Sequence, residues 1–184
     1  MKKITLLVGC LSLFVLGSSF AMADETPAVP SAHFGVEGGI NLSSFNGPTV
    51  DSVYASRLGF VGGLFLNLPF SPILAIQPEL LYEQKGGKIN DNDYRLDYVE
   101  VPVLLDVTLI GPFSVILGPS FSANVGSYGV ATVNQGDVGV ILGAELGIPL
   151  FLLSARYEVG LTDLNSDTKI QNGTFTLMAG ISFM

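Results

Sequence analysis

Eight stretches of this chain alternate apolar residues with small or polar ones at a period of two, so each has one greasy face and one polar face. In the last of them Phe175, Leu177, Ala179, Ile181 and Phe183 alternate with Thr174, Thr176, Met178, Gly180 and Ser182. A period of two is the signature of a β-strand and excludes an amphipathic helix. In the first, Phe34, Val36, Ile40 and Leu42 oppose Gly35, Glu37, Gly39, Asn41 and Ser43. The second, from Arg57 to Leu68, carries Leu58, Phe60, Leu64, Leu66 and Leu68 on its apolar face. The third, Ile73 to Lys85, sets Leu74, Ile76, Leu80 and Tyr82 against Gln77, Glu79, Glu83 and Lys85. The fourth has an unbroken row of Val99, Val101, Val103, Leu105, Val107 and Leu109. Phe113, Val115, Leu117 and Phe121 form the fifth row, and Val138, Val140, Leu142, Ala144 and Leu146 the sixth. The seventh is made by Leu153, Ala155, Tyr157, Val159 and Leu161.

The connections between these stretches alternate in length. Phe45 to Ser56, Gly86 to Arg95, Val125 to Asp137 and Leu164 to Asn172 are long, whereas Pro69 to Pro72, Ile110 to Pro112 and Pro149 to Phe151 are short. Short turns at one end, long loops at the other and an even strand count describe a transmembrane barrel. Strands of about 9 to 12 residues suit the roughly 9 to 11 needed to cross a bilayer when tilted. Lipid offers backbone groups no water, so the sheet must close on itself. The expected fold is all-β, a closed eight-stranded antiparallel up-and-down transmembrane β-barrel, with both termini on the periplasmic, short-turn side. Phe34, Phe70, Phe113, Phe151 and Phe183 fall near the short-turn ends, where an aromatic girdle belongs; Phe60, Tyr82, Phe121 and Phe175 are candidates for the other girdle.

Composition agrees: 48% of residues are hydrophobic and only 13% charged, which is greasy unless part of the surface meets lipid. A helical span needs about 20 apolar residues. The best candidate, Val138 to Ala155, contains Glu145 and Pro149 and alternates instead. Met1-Lys2-Lys3, the apolar run Ile4 to Phe20 and Ala21-Met22-Ala23 read as a secretory signal over residues 1–23. A lipoprotein box at Leu7 to Cys10 would leave an apolar region shorter than the roughly 7 residues a signal needs. Residues 24–32, with Pro27 and Pro30, make an irregular lead-in to a barrel over 33–184. Cys10 is the only cysteine, so the mature chain has no disulfide and no cysteine-ligated metal. Without Lys2 and Lys3, six basic residues face sixteen acidic ones, a net charge of -10. Nucleic acid is excluded as a partner, because binding it requires Lys and Arg to neutralise phosphates.

An eight-strand interior is just wide enough to be filled by side chains. The inward glycines Gly35, Gly39, Gly59, Gly63, Gly118, Gly139, Gly143, Gly147, Gly160 and Gly180 make room for a charged set. That set is Glu37, Arg57, Glu79, Glu83, Lys85, Glu100, Asp106, Glu145, Arg156 and Glu158. Such charges must be paired or hydrated. They form either an electrostatic plug or a cation-preferring path. Pro78, Pro102 and Pro119 lie inside strands, where proline removes a ladder donor, so bulges or interrupted pairing are expected there.

Gln77-Pro78-Glu79-Leu80-Leu81-Tyr82 with Lys85-Gly86, Tyr98-Val99-Glu100-Val101-Pro102, Gly118-Pro119, and Arg156-Tyr157 with Gly160-Leu161-Thr162 resemble the outer-membrane β-barrel domain family related to PorT. The resemblance covers nearly all of the mature chain. It implies the barrel fold and an outer-membrane location in a Gram-negative bacterium, and it fixes no biochemical activity. Met184 departs from it, one residue past the aromatic end usual for strands read by the barrel assembly machinery.

No enzymatic constellation is expected. The single histidine, His33, stands at the start of strand one without a nucleophile or metal-ligand spacing. Asn90-Asp91-Asn92-Asp93 lacks the glycine and terminal glutamate of a calcium loop and reads as a solvated turn. Asn172-Gly173-Thr174 reads as a turn entering strand eight. No cofactor or metal is expected. The expected partners are outer-membrane lipid and lipopolysaccharide, the assembly machinery and an unidentified ligand of the loops. The chain reads as a monomeric structural or surface-interaction protein, with a narrow cation-preferring pore or small-solute channel as the alternative.

Overall fold

In the computed structural model, residues 29–46, 54–89, 92–128, 136–162 and 171–183 are described. The signal segment, the lead-in as far as residue 28, Asn90, Asp91, Met184 and much of the long connections lie outside them. The strands are β1 (His33–Asn46), β2 (Tyr54–Ser71), β3 (Leu74–Ile89), β4 (Asn92–Ile110), β5 (Phe113–Tyr128), β6 (Gly136–Ile148), β7 (Phe151–Gly160) and β8 (Gln171–Phe183). Each pairs antiparallel with its sequence neighbour, and β1 closes the barrel on β8 from Phe34↔Phe183 to Asn46↔Gln171.

Closure satisfies the edges that lipid could not, and the alternation then fixes which side chains face out. Val99, Val101, Val103 and Leu105 stand on the outer wall, as do Leu64, Leu142 and Leu177. Phe34, Phe70, Phe113, Phe151 and Phe183 are exposed at the short-turn rim, where Phe34 and Phe183 meet at 5.7 Å between ring centroids. Phe60, Tyr82, Phe121 and Phe175 also face outward, joined by Tyr128 and Tyr157.

Several expectations need correction. The strands run from 10 to 19 residues, and all but β7 exceed the 9 to 12 expected. The connection expected from Gly86 to Arg95 is mostly sheet, since Gly86↔Arg95, Gly87↔Tyr94 and Lys88↔Asp93 pair and Ile89 pairs with Asn92. Polar residues and glycines there resembled turn signals, but a hairpin arm beyond the lipid needs no apolar row to persist. Asn92 and Asp93 are therefore in β4 rather than in a solvated turn, and Asn172-Gly173-Thr174 lies within β8, paired with Phe45, Ser44 and Ser43. Gly86 earns its place in the arm: its φ is 139°, and a Cβ would strike the Tyr94 carbonyl.

The prolines interrupt pairing without shifting it. Between β3 and β4 the ladder skips from Pro78↔Val103 to Leu81↔Glu100, two residues on each strand. It likewise skips Leu66 and Asn67 opposite Gln77 and Pro78, and Val103 and Leu104 opposite Gly118 and Pro119. The register shifts lie elsewhere, at Ser56/Val61, Pro69/Ser71, Asp97/Tyr98 and Thr108/Ile110.

Several inward glycines give space to large neighbours. A Cβ on Gly139 would stand 2.6 Å from both Glu158 Oε1 and Ser120 Oγ, and one on Gly143 3.1 Å from Arg156 Cγ. On Gly35 it would meet the Phe65 ring, and on Gly39, Gly59, Gly63 and Gly118 a carbonyl of the adjoining strand. Gly147 differs from the expectation: it is exposed at the rim, with Leu152 Cδ1 3.9 Å from a Cβ as its nearest contact. Gly139→Val should therefore cost about 1–3 kcal/mol through overpacking, and Gly147→Val little. Urea unfolding of the refolded barrel in lipid vesicles checks this, and equal losses would refute the space argument.

Candidate functional site: the charged lumen

The inward face of β3 runs Gln77, Glu79, Leu81, Glu83, Lys85, and that order organises the whole lumen. Lys85 gathers one charged layer. Its Nζ lies 2.6 Å from Glu100 Oε2 and 3.3 Å from Glu83 Oε2, and it also bonds Glu158. The three carboxylates come within 4.8 Å of one another. That spacing could hold a metal ion, but the Lys85 ammonium already serves as their cation. Its stem is 1% exposed, and the Tyr98 ring sits 5.7 Å from Nζ. Hydroxyls and an amide fill the remaining lone pairs: Ser120 donates to Glu158 at 2.7 Å, Ser122 to Glu100 at 3.0 Å and Asn41 to Glu83 at 2.7 Å.

Arg156, on β7, gathers the second layer toward the short-turn end. Nη1 donates to Glu79 at 2.5 Å, while Nη2 lies 3.4 Å from Glu37 and 3.8 Å from Glu145. Gln77 donates to Glu79 at 3.0 Å and to Glu145 at 3.3 Å, and Asn67 donates to Gln77 at 2.8 Å and to Asp106 at 3.1 Å. Of the ten charged residues placed inward from sequence, nine are buried in these two layers. Arg57 is half-buried near the long-loop end, opposite Ser43, with its Cδ 3.4 Å from where a Gly86 Cβ would be.

The alternation puts Leu104 and Met178 opposite the outward rows, but it leaves the other inward apolar residues between the two layers unmarked. Val61, Leu81 and Met178 form one buried cluster, and Leu104, Ile116 and Ile141 form another; each points into the barrel. On β3 Leu81 stands between Glu79 and Glu83, and on β4 Leu104 stands between Glu100 and Asp106, so apolar side chains separate the two charged layers. The signal was present in doublets and triplets such as Leu80-Leu81, Val115-Ile116-Leu117 and Val140-Ile141-Leu142, where an inward apolar residue joins the outward row. His33 stands at the short-turn mouth, half-buried, 6.3 Å edge-on from Phe65, with Nδ1 3.4 Å from the Ser31 carbonyl oxygen.

Removing one partner of a buried ionic cluster leaves the others uncompensated, at about 3–5 kcal/mol. Lys85→Met should cost that much, and Glu100→Gln in the same background should restore part of it. A double-mutant cycle read by urea unfolding measures the coupling, and strictly additive losses would show that the Lys85 layer carries no such interaction.

Comparison with known proteins agrees with this architecture. Solved structures with the same fold include the attachment invasion locus protein Ail of Yersinia pestis, determined in complex with the heparin analogue sucrose octasulfate. It shows 16% identity and a TM-score of 0.53, with 84% of this chain and 100% of that one covered. Neisserial surface protein A, NspA, shows 16% identity and a TM-score of 0.58 over the same shares. No curated protein matches by sequence. Residues 22–166 match the outer membrane protein beta-barrel domain, and the chain belongs to that family.

Proposed function

We propose that this protein is a structural or surface-interaction barrel whose lumen is closed, inserted with both termini in the periplasm and the long connections presented outside the cell. It acts as a monomer, as the unbroken lipid-facing rows and complete closure favour. Residues 1–23 direct export, and the mature chain meets outer-membrane lipid, lipopolysaccharide and the assembly machinery. The motifs around Pro78, Pro102 and Pro119 support a relation to the PorT-related group within that family. Variation in what such a protein binds then resides in the loops, not in a catalytic set.

The observation that carries this reading is the apolar layer of Val61, Leu81, Met178, Leu104, Ile116 and Ile141 between the Lys85 and Arg156 layers. A hydrated ion crossing it would lose its water where no polar group replaces it, a barrier of the dewetting kind. The ion would also have to displace Lys85 or Arg156 from carboxylates at 2.6 and 2.5 Å.

Single-channel recording of the refolded mature chain in a planar bilayer tests the reading, with Glu100→Gln and Arg156→Gln as companions. The wild-type protein should be silent. Steady cation-selective steps that change with either substitution would make it the narrow pore instead and overturn the closed-lumen reading.

A further inference from the structure

The two ionic layers are not equally supplied with donors. Around Lys85 every carboxylate receives the ammonium and one further donor, from Ser120, Ser122 or Asn41. Around Arg156 the supply falls short. One guanidinium faces Glu37, Glu79 and Glu145 at 3.4, 2.5 and 3.8 Å, and its Nε is buried without a partner among the described residues. The Gln77 amide donates only to Glu79 and Glu145, at 3.0 and 3.3 Å. Glu37 keeps the single 3.4 Å bond from Arg156; it is 6% exposed, and its Oε1 takes no hydrogen bond among the described residues.

What meets Glu37 instead is a second carboxyl group. The side chains of Glu37 and Glu79 lie within hydrogen-bonding distance of each other, yet ionised carboxylates only accept. Gly63 and Gly180, opposite Glu37 on its two neighbouring strands, leave room for that approach. The other charged groups at this level are Asp106 on β4, Glu145 on β6 and Arg156 on β7. β2, β5 and β8 add no titratable group, since Phe65 stands opposite Glu79, Ile116 opposite Asp106 and Gly180 opposite Glu37. Four carboxyl groups thus share one cation in an interior too narrow for bulk water. Two carboxylates in one such site cannot both ionise cheaply. A proton on either one turns their repulsion into a donated hydrogen bond, and it needs no cavity to enter.

We infer that the Arg156 layer is locked by a proton shared between Glu37 and Glu79, which makes the short-turn half of the lumen a pH-sensitive element of the fold. With the proton in place the pair counts as one negative charge against Arg156, and Glu37 and Glu79 hold β1 to β3 across the barrel. Once it leaves, two carboxylates are pressed together beside a guanidinium already shared with Glu145. The sign of the effect follows from the unfolded chain, whose glutamates have released their protons by neutral pH. The folded barrel binds one proton more, so the contribution of the pair to stability falls as the pH rises through neutrality, until the folded pair has also given up its proton.

The test is infrared spectroscopy of the refolded mature chain in lipid vesicles at neutral pH, with urea unfolding followed as a function of pH in the same vesicles. The wild-type protein should show the carbonyl stretch of a protonated carboxylic acid, apart from the carboxylate bands. Glu37→Gln, whose amide donates to Glu79 without a titratable proton, should remove one acid group from that band. Between about pH 6 and pH 8 the unfolding constant of the wild type should rise, relative to this variant, by ~10-fold per pH unit, the slope of one proton. His33 titrates in both proteins and cancels. Glu79→Gln should repeat both effects and replaces Glu37→Gln if that variant does not fold. Asp97→Asn, in the Arg95 pair of the β4 arm, should match the wild type. Absence of the acid band from the wild type, a measurement that needs no variant, would overturn the proposal. So would an undiminished band or an unchanged pH slope in the Glu37 and Glu79 variants, or an equal loss in Asp97→Asn. None of these outcomes bears on whether the bilayer is silent, so the proton lock and the closed lumen fail independently.

Discussion

Backbone hydrogen bonding in lipid is the constraint from which the other features of this molecule follow. A strand in hydrocarbon cannot leave an N–H or C=O open, so eight strands have to meet end to end, and β1 pairs with β8 along thirteen positions. Closure at eight strands leaves an interior too narrow for bulk water and too wide to be empty. What fills it has to be decided by side chains pointing inward from all eight strands at once. The ionic layers, the apolar layer and the inward glycines are three answers to that one packing problem.

The ionic layers solve it at a cost. Burying Lys85, Arg156 and their carboxylates gives up hydration that their mutual attraction repays only with good geometry and further hydrogen bonds. The hydroxyls of Ser120 and Ser122 and the amides of Asn41 and Gln77 supply those bonds. A purely apolar filling of similar volume could be as stable. The ionic filling brings specificity of register: sliding one strand by a residue would turn Lys85 or Arg156 out into lipid and bring a leucine in. The lumen charges and the outer apolar rows thus enforce the same alignment from opposite faces of the sheet.

The fold was legible because lipid contact demands an apolar residue at nearly every second position, a pattern as plain in Val99 to Leu109 as in Phe175 to Phe183. The inward position of the charges followed from the same alternation. The inward apolar layer was only partly legible: Leu104 and Met178 fell opposite the outward rows, but an inward Ile116 between outward Val115 and Leu117 reads as a continuous apolar run with no side assigned. Nor was the partition of carboxylates between Lys85 and Arg156. Glu158 and Arg156 are two residues apart on one strand, yet they serve different layers, a choice made by three-dimensional stagger. The arms of β3 and β4 escaped notice because beyond the lipid the selective pressure for alternation lapses while backbone pairing continues.

The prolines show how much pairing such a wall can give up. Proline lacks the N–H that an uninterrupted ladder uses at every residue, and here three adjacent strands each carry one. The ladders skip two residues per strand beside them and resume in the same register. Pro119 keeps its full alignment with β6, opposite Val140, so its loss is confined to the β4 side. Inward Pro102 is buried, and outward Pro78 and Pro119 are rigid, apolar and compatible with lipid. A shift at Pro78 or Pro102 would have moved Lys85 relative to Glu100, whose pairing depends on the β3–β4 register being continuous from Gln84↔Asp97 to Leu74↔Val107. Holding the register through the gaps is what allows a wall with missing hydrogen bonds to keep its ionic layers intact.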